Sequence, residues 1–131
     1  MALPVSRDAI NEAHQRITPY IRRTPLIKLN DRAFGLECTI SFKLEYLQHA
    51  GSFKSRGAFN TLLSHPLPAS GVTAASGGNH GAAVAFAAQA LGAKAKIFVP
   101  EISSPIKIET IKQFGGDVTV SGSYLLNVQS G

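Results

Sequence analysis

The apolar positions of this 131-residue chain keep a helical period near the N-terminus, alternate in the middle, and then settle into a repeated order of strand and helix. Ile10, Ala13, His14 and Ile17 recur at helical spacing behind Ser6, which can cap the helix, and Pro19 ends or bends it. His14 falls on that inner stripe and reads as a packed side chain. PLIKL, Pro25 to Leu29, reads as a short strand. From Thr39 to Glu45 the residues Ile40, Phe42 and Leu44 alternate with Thr39, Ser41, Lys43 and Glu45, the pattern of a half-buried strand. The next helix opens within GSFKSRG, Gly51 to Gly57. Ser52 is placed as its N-cap, and Phe53, Ala58, Phe59, Leu62 and Leu63 lie roughly on one face.

HPLPASG, His65 to Gly71, is a proline and glycine loop and the best internal boundary. Beyond it the pattern predicts strands at 72–75, 95–99 and 117–121 and helices at about 81–91 and 105–114. Strands alternating with helices of this length argue for a parallel sheet built from right-handed crossovers. The expected fold class is therefore α/β, a parallel sheet with helices on both faces. Ser104 before Pro105 starts the last helix, and Gly115 stops it. The 81–91 helix is apolar almost all round, so it should be covered on more than one side.

Composition narrows the class. With 44% hydrophobic and 16% charged residues the chain is globular, not a disordered tail. Its net charge of +5 comes from scattered residues, with Arg22–Arg23 the only adjacent basic pair, so a nucleic-acid partner is not expected. The balance suits anionic ligands and equally an ordinary solvated surface. One cysteine, Cys38, rules out an intrachain disulfide and a cysteine-cluster metal site, and it reads as a small semi-buried residue. No metal site is expected. No apolar stretch is long enough to span a bilayer and MALPVSRD has no apolar h-region, so the expectation is a cytoplasmic chain with no membrane partner.

Two stretches carry candidate chemistry. Lys54 would lie in the first turn of its helix, where the positive end of the helix dipole, Arg56 and any burial all disfavour a protonated amine. An unperturbed lysine, of pKa about 10.4, is neutral at pH 7 only about once in a few thousand molecules. Lowering that value turns the amine into a nucleophile for a carbonyl. Taken alone, Lys54 reads more simply as a solvated surface lysine. SGGNHG, Ser76 to Gly81, lies between a strand and a helix, so its backbone amides form a natural anion site. It is neither a Walker A loop nor a G-x-G-x-x-G fingerprint, and a loop that merely needs glycine remains open.

The run KLEYLQHAGSFKSRGAFN, Lys43 to Asn60, resembles the pyridoxal-phosphate enzymes of the tryptophan synthase β type (fold type II), and most closely the serine/threonine dehydratases, or ammonia-lyases. RTPL, Arg23 to Leu26, and SGGNHG extend the resemblance. It implies that Lys54 forms the Schiff base with pyridoxal phosphate and that Phe53 packs against the cofactor ring. It implies also that Asn79 bonds the 3-oxygen of the ring, while Ser76, Gly77, Gly78 and His80 hold the substrate carboxylate. His80 could instead be a helix-start residue without substrate contact. Serine racemases of the family carry a serine at the place of Gly77 as a second base. A glycine takes no proton, so racemisation is disfavoured, and the implied reaction is conversion of serine or threonine to a 2-oxo acid and ammonia.

The resemblance runs from about Ser6 to about Val120, and GSYLLNVQSG, Gly122 to Gly131, does not continue it. Family members are much longer. Their later half supplies a glycine-rich loop that cups the cofactor phosphate, a polar partner for the pyridine nitrogen and a metal site. The expected organisation is thus an incomplete one: residues 1–66 as part of the large cofactor domain, and residues 67–131 as part of the small α/β domain. The full-length enzyme is expected to be a homo-oligomer acting on a small amino acid, and this chain alone to be inactive or nearly so. The alternatives are a non-catalytic remnant, another family member such as a racemase, and, more weakly, a stand-alone phosphate-binding domain.

Overall fold

Ser6 caps the first helix, α1 (Arg7–Ile17), its hydroxyl accepting from the Ala9 amide at 3.1 Å. The structure, a computed structural model, describes residues 5–30 and 32–122. In α1 only Ile17 is buried; Ile10 and His14 are exposed, so the packed His14 expected from the helical stripe is corrected. The stripe is there, but the described chain covers it at one end only. A 3-10 turn at Thr18–Tyr20 follows, with Pro19 inside it.

The strands β1 (Leu26–Lys28) and β2 (Ser41–Lys43) pair antiparallel, Ile27 opposite Phe42. Alternation in this region does not produce a half-buried strand. All six residues of the pair are exposed; the Phe34 ring meets the edge of Phe42 at 6.3 Å without burying it. Cys38, on the connection between them, is exposed rather than semi-buried.

The lysine helix, α2, runs Lys54–Leu63. Ala58 and Phe59 are buried and Leu62 and Leu63 half-buried, as their spacing predicts, but Phe53 is 59% exposed. Phe53 occupies the N-cap position, and the Ser52 hydroxyl accepts from the Lys54 amide at 3.3 Å.

After the proline loop the chain forms β3 (Val72–Ala75), α3 (Asn79–Ala90), β4 (Ala95–Val99), α4 (Pro105–Gln113) and β5 (Gly116–Val120). The three strands make a parallel sheet in the order β3-β4-β5, with Ala74 opposite Ile97 and Ile97 opposite Val118. Each crossover carries one helix, as the alternation of patterns required.

Ala95, Ile97 and Val99 point from β4 into the core. Helix α3 lies over that face and α2 packs against the far side of α3, which explains an apolar helix with no polar side along Gly81–Ala88. Alanines at 82, 83, 85, 87 and 88 let the three layers approach closely. Gly81 lies at a close approach of the layers: a Cβ there would stand 2.2 Å from the Ser76 carbonyl oxygen and 3.1 Å from Ile97. Aromatic rings tie the layers together. Phe59 stacks on Tyr20 with centroids 5.3 Å apart and meets the edge of Phe86 at 6.1 Å, and Phe86 meets Phe114 at 5.5 Å. Among the described residues the opposite face of the sheet shows Thr73, Lys96 and Asp117 to solvent.

Candidate functional site

The turn that delivers Lys54 is held by buried side chains that the sequence pattern did not single out. Ala50 and Gly51 both have positive φ, 56° and 70°, so the chain makes two left-handed steps in succession, one of them at a residue with a Cβ. Such a conformation persists only where its surroundings impose it. Gln48, 2% exposed, imposes it here. Its Oε1 accepts from the amides of Arg22 at 2.8 Å and His49 at 3.0 Å, and its Nε2 donates to the Arg22 carbonyl at 2.8 Å. The fully buried Ser55 donates its hydroxyl to the His49 carbonyl from the other side. The signal for both was a polar residue inside a stretch that should be packed, which periodicity alone does not flag.

A second brace fixes the outer side of α2. Arg56 donates to both oxygens of Glu45, at 2.8 and 2.7 Å, and Thr24 donates to Glu45 Oε1 at 2.6 Å. Lys43 closes the cluster by donating to the Thr24 carbonyl at 2.9 Å. The fork of Arg56 holds the Glu45 carboxyl below its ordinary pKa against the opposing effect of burial, with Thr24 and Lys43 adding to the lowering. Arg56 is therefore engaged by Glu45, not free to repel Lys54. Beside this cluster a cavity of about 460 Å³ opens among His14, Arg22, Arg23, Lys43 and Arg56.

Held in this way, Lys54 is the first residue of α2 and stands exposed, its Nζ 5.1 Å from the centroid of the Phe53 ring. Lys54 is therefore solvent-exposed here, not buried. The Lys54 charge reaches the second motif. At the start of α3, the neighbouring atoms that partly desolvate its otherwise exposed ring, and then the positive charge of Lys54, hold the His80 pKa below the ordinary histidine value. Helices α2 and α3 pack on each other, with Lys54 and His80 in their first turns.

Gly78 is the N-cap of α3 and Asn79 its exposed first residue. The Gly78 amide donates to the Ser76 hydroxyl at 3.3 Å, which folds the loop back at the carboxyl end of β3. Ser76, Gly77 and Gly78 are half-buried and His80 exposed. All seven residues expected at the site therefore lie at or just before the starts of two helices that pack on each other. Among the described residues no group of three or more His, Cys, Asp or Glu is placed to hold a metal ion, and no helix is long and apolar enough to cross a membrane.

The donor set fits an anionic aromatic aldehyde. There is an exposed amine at the start of one helix with the exposed Phe53 ring beside it, and a glycine loop at the start of a second helix packed on the first. Residues 17–130 match the family described as pyridoxal-phosphate dependent enzyme. The chain belongs to this family. The match continues past residue 120, where the resemblance was expected to end, into residues outside the described ones. The L-threonine ammonia-lyase of Geobacter sulfurreducens is 41% identical over 115 residues, covering 86% of this chain and 29% of that protein. The serine racemase of Arabidopsis thaliana is 41% identical over 112 residues, covering 84% and 34%. The solved structure of maize serine racemase superposes with a TM-score of 0.84 at 35% identity, covering 95% of this chain and 38% of that one. The chain thus spans about a third of the length of these relatives. Pyridoxal phosphate is the family's cofactor, and the α/β architecture with a parallel sheet is the family's fold.

Proposed function

We propose that this chain carries the cofactor lysine and the substrate-carboxylate loop of a pyridoxal-phosphate-dependent lyase that converts serine or threonine to a 2-oxo acid and ammonia. The observation that carries the reading is the packing of two helices on each other, one starting at the exposed amine of Lys54 and the other at the SGGNHG loop. Bound pyridoxal phosphate would supply an electron sink for the charge left at the substrate α-carbon. Lys54 holds the cofactor and then takes the α-proton as general base. The loop amides and Ser76 hold the substrate carboxylate, Asn79 meets the 3-oxygen of the ring, and Phe53 lies against the ring face. His80 completes the loop that holds the carboxylate, its pKa held below the ordinary histidine value by desolvation and then by the charge of Lys54.

In this reading residues 1–66 are part of a large domain and 67–131 part of a small one, within a cytoplasmic homo-oligomer of family length. Racemisation is the second reading, favoured by the serine racemases among the similar proteins and opposed by Gly77, which offers no side chain to move a proton. The test is an absorbance spectrum of the chain with added pyridoxal phosphate before and after borohydride, repeated on Lys54→Ala. The expected result is a visible band fixed covalently by borohydride in the parent chain and lost in Lys54→Ala. An equal band in both would move the cofactor to another amine and overturn the reading.

A further inference from the structure

Gly77 has no room for a side chain, and what fills that room is Ser103. A Cβ built on Gly77 would stand 1.9 Å from the Ser103 hydroxyl oxygen, 2.9 Å from the Ser103 Cβ and 3.3 Å from Pro100. A methyl group and an oxygen cannot share that space, so the Ser103 hydroxyl occupies the place where residue 77 would put its own first atom. Ser103 comes from the turn after β4, closed by its amide donating to the Pro100 carbonyl at 2.9 Å, whereas Gly77 comes from the turn after β3. These strands are neighbours in a parallel sheet, and in such sheets ligands lie outside the carboxyl ends of the strands, where these two turns meet. Ser103 is half-buried, and its hydroxyl has no hydrogen-bond partner among the described residues.

We propose that Ser103 is a further substrate-binding residue, its hydroxyl standing in the SGGNHG loop at position 77 and donating to the substrate carboxylate. This rests on the reading of that loop as the carboxylate site. The hydroxyl reaches the loop from a second strand end, so the turns after β3 and β4 contribute to one site. It also explains a glycine at 77 by a neighbour's side chain rather than by backbone conformation.

The chain labelled with 15N is titrated with L-serine, and then with L-threonine, while the amide signals of residues 76–80 are followed. The parent chain is expected to show saturable shifts there. Ser103→Ala should raise the apparent Kd about tenfold, the effect of one hydrogen bond to a charged group. Ser103→Thr, which keeps the hydroxyl, should stay near the parent value. Gly77→Ala, whose methyl group displaces that hydroxyl, should match Ser103→Ala, and the double variant should be no weaker than either alone. Shifts in the parent chain that Ser103→Ala leaves unchanged would overturn the role of Ser103 and spare the loop. No shift in the parent chain would overturn both. Retained dispersion of the remaining amide signals separates a binding loss from unfolding.

Discussion

Gln48 decides whether Lys54 is presented at all. Its amide satisfies three backbone groups on two segments, Arg22 and His49, and it does so at 2% exposure, where water cannot replace it. Truncating it would leave buried donors and an acceptor unpaired beside an Ala50 already held at positive φ. Gln48→Ala is therefore expected to destabilise the fold by about 3 kcal/mol, read as a lower urea midpoint at unchanged slope. A loss under about 1 kcal/mol would show that the turn is held by something else. Much of this was legible at the residue scale and some was not. Lys54 at a helix start followed from Ser52 and the apolar spacing after it. The roles of Gln48, Ser55 and Glu45 did not, because a polar side chain is assigned by its partners, and the deciding ones lie 6 to 26 residues away along the chain.

At the scale of elements, the later half of the chain was the easier half to read. Val72–Ala75 and Ala95–Val99 fall where the apolar runs put them, since strands and helices that pack on each other within the described residues bury the faces their periodicity marks. The earlier half carries equally regular patterns in α1, β1 and β2, yet His14, Ile27 and Phe42 stay exposed, because a pattern states which face wants cover and not what supplies it. Besides the packing of α2 on α3, a ring contact with a titratable group joins the halves. The His49 ring, in the turn before Lys54, stacks on Phe86 of α3 at 4.7 Å. Burial, and then the charge of Arg22, hold its pKa below the ordinary 6.5. The unfolded chain therefore takes up this proton before the folded one does. The contribution of His49 is fully present above pH 6.5 and is lost as pH falls through its folded pKa. His80 slopes in the same direction, whereas Glu45, lowered from 4.5, acts only in a more acidic window. Stability followed by urea unfolding should fall between pH 7 and 5, and His49→Gln should flatten that fall without abolishing it. An unchanged slope would remove His49 from the link.

For the molecule as a whole, the described surface is open where the proposed chemistry needs it closed. Phe53 beside Lys54 is 59% exposed, and Leu26, Ile27, Phe34, Phe42 and Tyr46 form a broad apolar exposure around β1 and β2. The relatives this chain matches are about three times its length. A cofactor held on Lys54 by this surface alone would be walled by the Phe53 side and the SGGNHG loop and otherwise face water. Fixing the reacting atoms and excluding solvent account for a large part of an enzyme's rate, and a ligand without its full set of anchors loses several kcal/mol of binding. The 131-residue chain is therefore expected to release ammonia from serine or threonine at least about 100-fold more slowly than a family-length ammonia-lyase under the same conditions. The same chain mixed with a separately produced segment corresponding to the rest of a family-length relative should recover part of that rate, since the exposed apolar positions offer the seat for it. Comparable turnover by the isolated chain would show that two helix starts suffice for the reaction. Recovery that fails, while borohydride still fixes the cofactor on Lys54, would instead point to a cofactor-binding domain without the lyase reaction.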